Sequence, residues 1–400
     1  MTGTPRPASR PTSQSASRPL PARTIDYRHS AQFVPILEHL GCSLLVSTYA
    51  AGKVVSVGAI DGQLHLGFSN FQQAMGIAPP QSGTFANAHS QTQPSTQGDI
   101  IAVGGPNLIW FLKDAGPLAN QVDPAGTYDR AFLVRESFVT GNISIHEMGW
   151  GQEQELWVVN TLFSCLATLH EDFNFVPRWQ PSFIDRLAPE DRCHLNGMAM
   201  VDGLPRYVSC LGLSNAPRGW RENKADGGSL IDVQSGELIA GEFCMPHSPR
   251  MHQGKLFMLD SGKGLLVTVD PADGTVDEVA SYPGYGRGLA FAGQFAFVGM
   301  SRARERSVFG GVPICESSNE MRCGVVAIDL VSGRSVAFIE FESGVEELFD
   351  IQVIVGSRRT VLCGPYPRED QQKPVWVVPP PNVVSKLSSQ HQAGSVKRRR

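Results

Sequence analysis

The chain has 400 residues, of which 42% are hydrophobic and 18% charged, enough apolar material for a sizeable core and a composition that excludes wholesale disorder. A formal net charge of −4 argues against nucleic acid as the main partner, because phosphate neutralisation needs a basic face. No window holds the roughly 18 consecutive apolar residues of a membrane span, and the start of the chain lacks the apolar stretch of a secretory signal. The expected setting is therefore cytoplasmic, with no membrane partner, and the chain is expected to act as a monomer.

Taken in order, residues 1–30 read as a disordered Pro/Ser/Arg-rich arm. Residues 31–42 read as either a short helix or an initial strand. From Ser43 to Phe68 the pattern is of strands, and VVSVGAIDGQLHLGF (54–68) carries an Asp-Gly tip in which glycine supplies the positive φ of a tight hairpin turn. The same design returns at 230–243, 265–282 and 325–341. A polar stretch at 83–98 reads as a loop, and longer insertions fall at 212–228 and 301–322. The domain is expected to end near 380, leaving 381–400, which finishes in KRRR, as a disordered basic tail.

A second pattern sets the fold. A polar residue followed by a small or turn-permitting residue and a short apolar run occurs near Gln73, His146, His194, His247, Arg287 and Asp350. Spacings of about 50 residues match the period of four-stranded propeller blades. The expectation is an all-β fold, a β-propeller of six four-stranded blades. Inner strands near 349–355 and 359–364 would be completed by N-terminal strands from 43–68, so that pairing of the two chain ends removes open sheet edges.

Inner strands line the central channel, so His146, His194 and His247 are expected to face it from three consecutive blades. Three imidazoles on one side could hold a divalent metal, Zn or Fe, with an open position for water or substrate. A metal-free polar ligand pocket and purely structural histidines are the competing readings. Across the ring stand Gln73, Tyr285, Arg287, Glu346, Glu347 and Asp350; Glu347 or Asp350 would handle a proton and Arg287 would bind an anion. His252 and His170 are poorer ligand candidates.

In an up-and-down blade the 212–228 and 301–322 insertions should reach the same rim as the histidines. They would bring Trp220, Arg221, Asn223 and Lys224 as substrate-binding residues, with Arg302, Arg304 and Arg306 nearby. The eight cysteines form no CxxC pair and read as buried reduced thiols. No GxSxG elbow or phosphate-binding loop is present.

The motifs NFQQAMGIA, HLNGMAM, GWRENKADGG, MPHSPRMHQGKLFMLDSG, PGYGRGLAF and FESGVEELFDIQV, in this order over residues 32–379, resemble an uncharacterised family of bacterial conserved hypothetical proteins. That resemblance implies a propeller domain and no particular activity. More distantly, histidines repeated on inner strands resemble metal-dependent six-bladed enzymes such as the peptidyl-hydroxyglycine lyases and the gluconolactonase-like group, a likeness of architecture alone. The functional expectation is a metal-dependent hydrolase or lyase acting on a small anionic molecule, or a non-catalytic propeller binding a peptide or small ligand through the same rim.

Overall fold

The computed structural model describes residues 25–80, 99–302, 310–316, 321–366, 373–379 and 381. Six antiparallel sheets stand in a ring, and each inner strand packs against the inner strands of its two neighbours. The chain is a six-bladed β-propeller. All six polar blocks of the sequence introduce an inner strand: Ile77–Ala78, Ile145–Trp150, Leu195–Val201, Pro246–His252, Tyr285–Ala292 and Asp350–Val355.

Blade 1 closes the ring. Its inner strand, Asp350–Val355, comes from the C-terminal part of the chain and pairs with Cys42–Thr48; Lys53–Ile60 and Gln63–Asn70 complete the sheet. The expected closure by the two chain ends is therefore present. Thr360–Cys363, however, does not continue that blade. It crosses to blade 2 and lies parallel to the outermost strand there, Arg130–Val139. Ser357 and the backbone N–H groups of Arg358 and Arg359 hold the crossing on the Asp129 carboxylate, so the chain is committed to the next blade before the strand starts.

At the other end, Tyr27–His29 pairs with Arg334–Phe341 as a fifth strand of blade 6. The expected arm over 1–30 thus yields its last residues to the propeller, whereas 1–24 and most of the 381–400 tail lie outside the described residues. The undecided segment 31–42 contains a helix, Phe33–Leu40, ended by Gly41 in the left-handed conformation. Its buried face, Phe33, Val34 and Leu37, fills the joint between blades 6 and 1.

The joints explain why inner strands carry so many small and polar residues. At four of the six, a side chain bonds the backbone of the next blade. Asp350 accepts from Ile77 N–H, Glu147 from Met198 N–H and Ser248 from Gly288 N–H, while Asn196 donates to the Pro246 carbonyl. At the other two, glycine lets bare backbone approach. A Cβ on Gly76 would lie 2.6 Å from the His146 carbonyl oxygen, and one on Gly288 2.4 Å from Ile351 N.

Candidate functional site

The rim expected from the topology exists, and three short turns build it. Each histidine follows a residue in the left-handed conformation: Ser144, Asp191 and Met245 have φ of 52°, 49° and 52°. These turns aim a hydrogen-bond acceptor back at Nδ1 of the ring. His146 Nδ1 lies 3.0 Å from the Ser144 carbonyl and 2.8 Å from Thr161 Oγ1, whose own proton goes to the Leu195 carbonyl. His247 Nδ1 lies 2.8 Å from the Met245 carbonyl. His194 Nδ1 lies 2.8 Å from Asp191 Oδ1.

Carbonyl and carboxylate oxygens only accept, so each ring carries its proton on Nδ1 and offers the Nε2 lone pair. Burial, reinforced by His194 and Arg287, holds the His146 pKa well below the ordinary histidine value, and burial together with Arg287 does the same for His247. Both are therefore neutral acceptors at physiological pH.

Arg287 is the cation of the site. It donates through Nε to His247 Nε2 at 3.3 Å and through Nη1 to Glu347 Oε1 at 3.3 Å, and its guanidinium lies 4.6 Å from the ring centre of Phe349. Nη2, and the Nε2 atoms of His146 and His194, have no protein partner among the described residues. Phe349 and His146 bridge the two sides of the mouth, with ring centres 5.2 Å apart and His146 a further 4.8 Å from His194. Trp220 completes the wall: it is 4% exposed, its ring lies 4.5 Å from His194, and Nε1–H donates to Asp191 Oδ2 at 3.0 Å.

His146, His247, Arg287 and Phe349 themselves line a void of about 10 Å³, room for about one water molecule. Glu147, Asn196, Ser248 and Asp350 complete its lining. Arg250 lies between the two carboxylates, 2.5 Å from Glu147 Oε1 and 4.0 Å from Asp350 Oδ1. Burial pushes the Asp350 pKa up to about 7, only partly offset by Arg250.

The site therefore gathers His146, His194, His247, Arg287, Glu347 and Trp220, with Arg221 exposed over the Trp220 ring. Roles move, however. Glu347 is occupied in pairing with Arg287, and Asp350 is 2% exposed and accepts from the backbone of Ile77 and Ile351; neither carboxylate faces the mouth as a free base. Asn223 turns towards a separate groove of about 600 Å³ beside the outer strand of blade 4, and the Lys224 carbonyl accepts from the Cys244 thiol. Gln73 and Glu346 are exposed, and Tyr285 is buried with its ring 5.4 Å from His247. Arg302 is tied to the carbonyls of Glu346 and Phe341, while Arg304 and Arg306 lie outside the described residues.

Among the described residues no group of three His, Cys, Asp or Glu side chains is arranged to hold a metal ion. Arg287 also works against a cation at the mouth. It uses the Nε2 lone pair that His247 would give to a metal, and at about 4 Å its charge would oppose a cation by roughly 4 kcal/mol per unit charge. Sequence reasoning missed Asp191 and Phe349. Asp191 was visible in the Asp-x-x-His spacing of DRCH, whereas nothing local distinguishes Phe349 from a core aromatic.

The model of a domain of unknown function (DUF4915) matches residues 31–362. The chain belongs to the DUF4915 family. No curated protein matches it. Among solved structures, the DUF4915 chain is similar to a chain of a nidogen/laminin complex, at 10% identity and a TM-score of 0.48 over 79% of this chain and 99% of that one. It is also similar to a protein of unknown function from Bacteroides caccae, at 9% identity and 0.47 over 78% and 98%. A third similar chain is virginiamycin B lyase from Staphylococcus aureus, at 10% and 0.36 over 80% and 99%. Likeness at this level carries no argument about activity.

Proposed function

We propose that this DUF4915 protein binds a small anionic ligand at the mouth of its channel, with Arg287 as the anchor. The observation that carries the reading is the mounting of that guanidinium. His247, Glu347 and Phe349 fix it on three sides, while Nη2 has no partner among the described residues. Beside it, the neutral imidazole of His146 offers an acceptor that favours an N–H or O–H group on the same ligand, and the His194 ring stands next to it. The void that Arg287 lines with His146, His247 and Phe349 is only water-sized, so the ligand meets the guanidinium from the open side of the mouth and its body stays at the rim by Trp220 and Arg221.

A metal-dependent hydrolase or lyase is the weaker reading, since it would require Arg287 to leave His247 and withdraw its charge. The anion-binding reading is tested by calorimetric titration with short carboxylates such as pyruvate and acetoacetate. Saturable binding should weaken about 10- to 100-fold in Arg287→Gln, the loss expected for a charge-assisted hydrogen bond. Equal affinity in wild type and variant would sink the proposal.

A further inference from the structure

His194 differs from the other two histidines in one respect: its Nδ1–H is held by a carboxylate instead of a carbonyl. Asp191 is itself fixed at both oxygens, by His194 at Oδ1 and by the Trp220 indole at Oδ2. Its backbone N–H is anchored on the Leu162 carbonyl at 2.8 Å. A fixed carboxylate behind an imidazole sets the tautomer and stabilises the cation formed when Nε2 takes a proton. His146 has only a carbonyl and a hydroxyl behind it, so it lacks that compensation.

We infer that His194 is a general base, positioned by Asp191, which removes a carbon-bound proton from a short oxo-carboxylate held by Arg287. The inference rests on the anion-binding reading above. Rings connect the two groups: His194 lies 4.8 Å from His146, His146 5.2 Å from Phe349, and the guanidinium 4.6 Å from Phe349. A ligand whose carboxylate sits on the guanidinium would lie across these rings, with its C–H group turned to the His194 side of the mouth. In the step, the C–H bond breaks and its electron pair forms the C=C bond of an enolate. The carbonyl π pair moves to oxygen, and the proton passes to His194 Nε2. The resulting imidazolium keeps its Nδ1–H on Asp191, and the return of a proton to carbon completes the exchange without oxidant or cofactor.

The test uses the whole chain labelled with ¹⁵N-histidine, with pyruvate in D₂O as the probe. His194 should show the Nδ1–H tautomer, and the pyruvate methyl protons should exchange for deuterium at least 100-fold faster than in buffer. His194→Gln should abolish the exchange. Asp191→Asn should move the His194 proton to Nε2 and slow the exchange at least 100-fold, while pyruvate affinity by calorimetry changes less than about threefold. A merely structural Asp191 would leave the tautomer unchanged. Arg287-dependent binding of pyruvate without methyl exchange, or exchange that survives in either variant, would overturn the base and leave the anion site standing. Failure of wild type to bind either pyruvate or acetoacetate would overturn both.

Discussion

Asp350 shows how a residue can be placed correctly and given the wrong task. Its place in the recurring polar block before an inner strand put it on the channel, and it does lie there. Its oxygens, however, serve the joint between blades 1 and 2, and burial pushes its pKa up to about 7. An acid whose folded pKa lies above its unfolded value near 4 adds stability only while protonated. That contribution is complete below about pH 4 and is lost as the pH rises through 7, by at most about 4 kcal/mol. Chemical denaturation between pH 5 and 8 should show the wild type losing stability relative to Asp350→Asn as the pH rises, since the rise contributed by the depressed His146 and His247 is common to both proteins and cancels in the difference. A difference that does not change with pH would mean that Arg250 keeps the carboxylate ionised throughout. The histidines were legible for a simpler reason, since residue type and spacing together put them at equivalent points of successive blades. Their protonation was not legible, because it depends on which atom a preceding turn brings to Nδ1.

At the scale of the element, strands were readable wherever a hairpin tip announced them. Asp61-Gly62 does turn Lys53–Ile60 into Gln63–Asn70. Two elements were not. Thr360–Cys363 has a plain strand pattern, and nothing local says that its partner is 230 residues away and parallel. Helix Phe33–Leu40 was ambiguous because β-branched and aromatic residues mix with its helical spacing, and its burial against two blades decides the matter. Leu37 is fully buried in that joint. Leu37→Ala should therefore cost about 2–5 kcal/mol in urea unfolding, and a loss below about 1 kcal/mol would show that the helix is peripheral to ring closure.

For the whole molecule, the repeat of polar blocks specified blade number, and the position of the outer strands specified closure, so the architecture followed from periodicity. The chemistry did not, because it depends on contacts among four blades that no repeat encodes. The bond from Arg287 to His247 occupies a nitrogen that the candidate metal tripod would need, and it joins residues 40 apart in sequence. Protein purified without an affinity tag and reconstituted with Zn²⁺ or Fe²⁺ should accordingly retain well under one metal per chain by elemental analysis. Stoichiometric metal lost on His146→Ala, and retained more tightly in Arg287→Ala, would restore the tripod reading.

The crossing of the chain from blade 1 to the far edge of blade 2 has a mechanical consequence. Tyr27–His29 clasps blade 6 while Thr360–Cys363 clasps blade 2, so the first and last strands of the propeller grip opposite neighbours of the closing blade. A pull applied between them loads these two short ladders before it reaches Asp350–Val355, and the doughnut resists being unzipped as a belt resists when its tongue is tucked under a second loop.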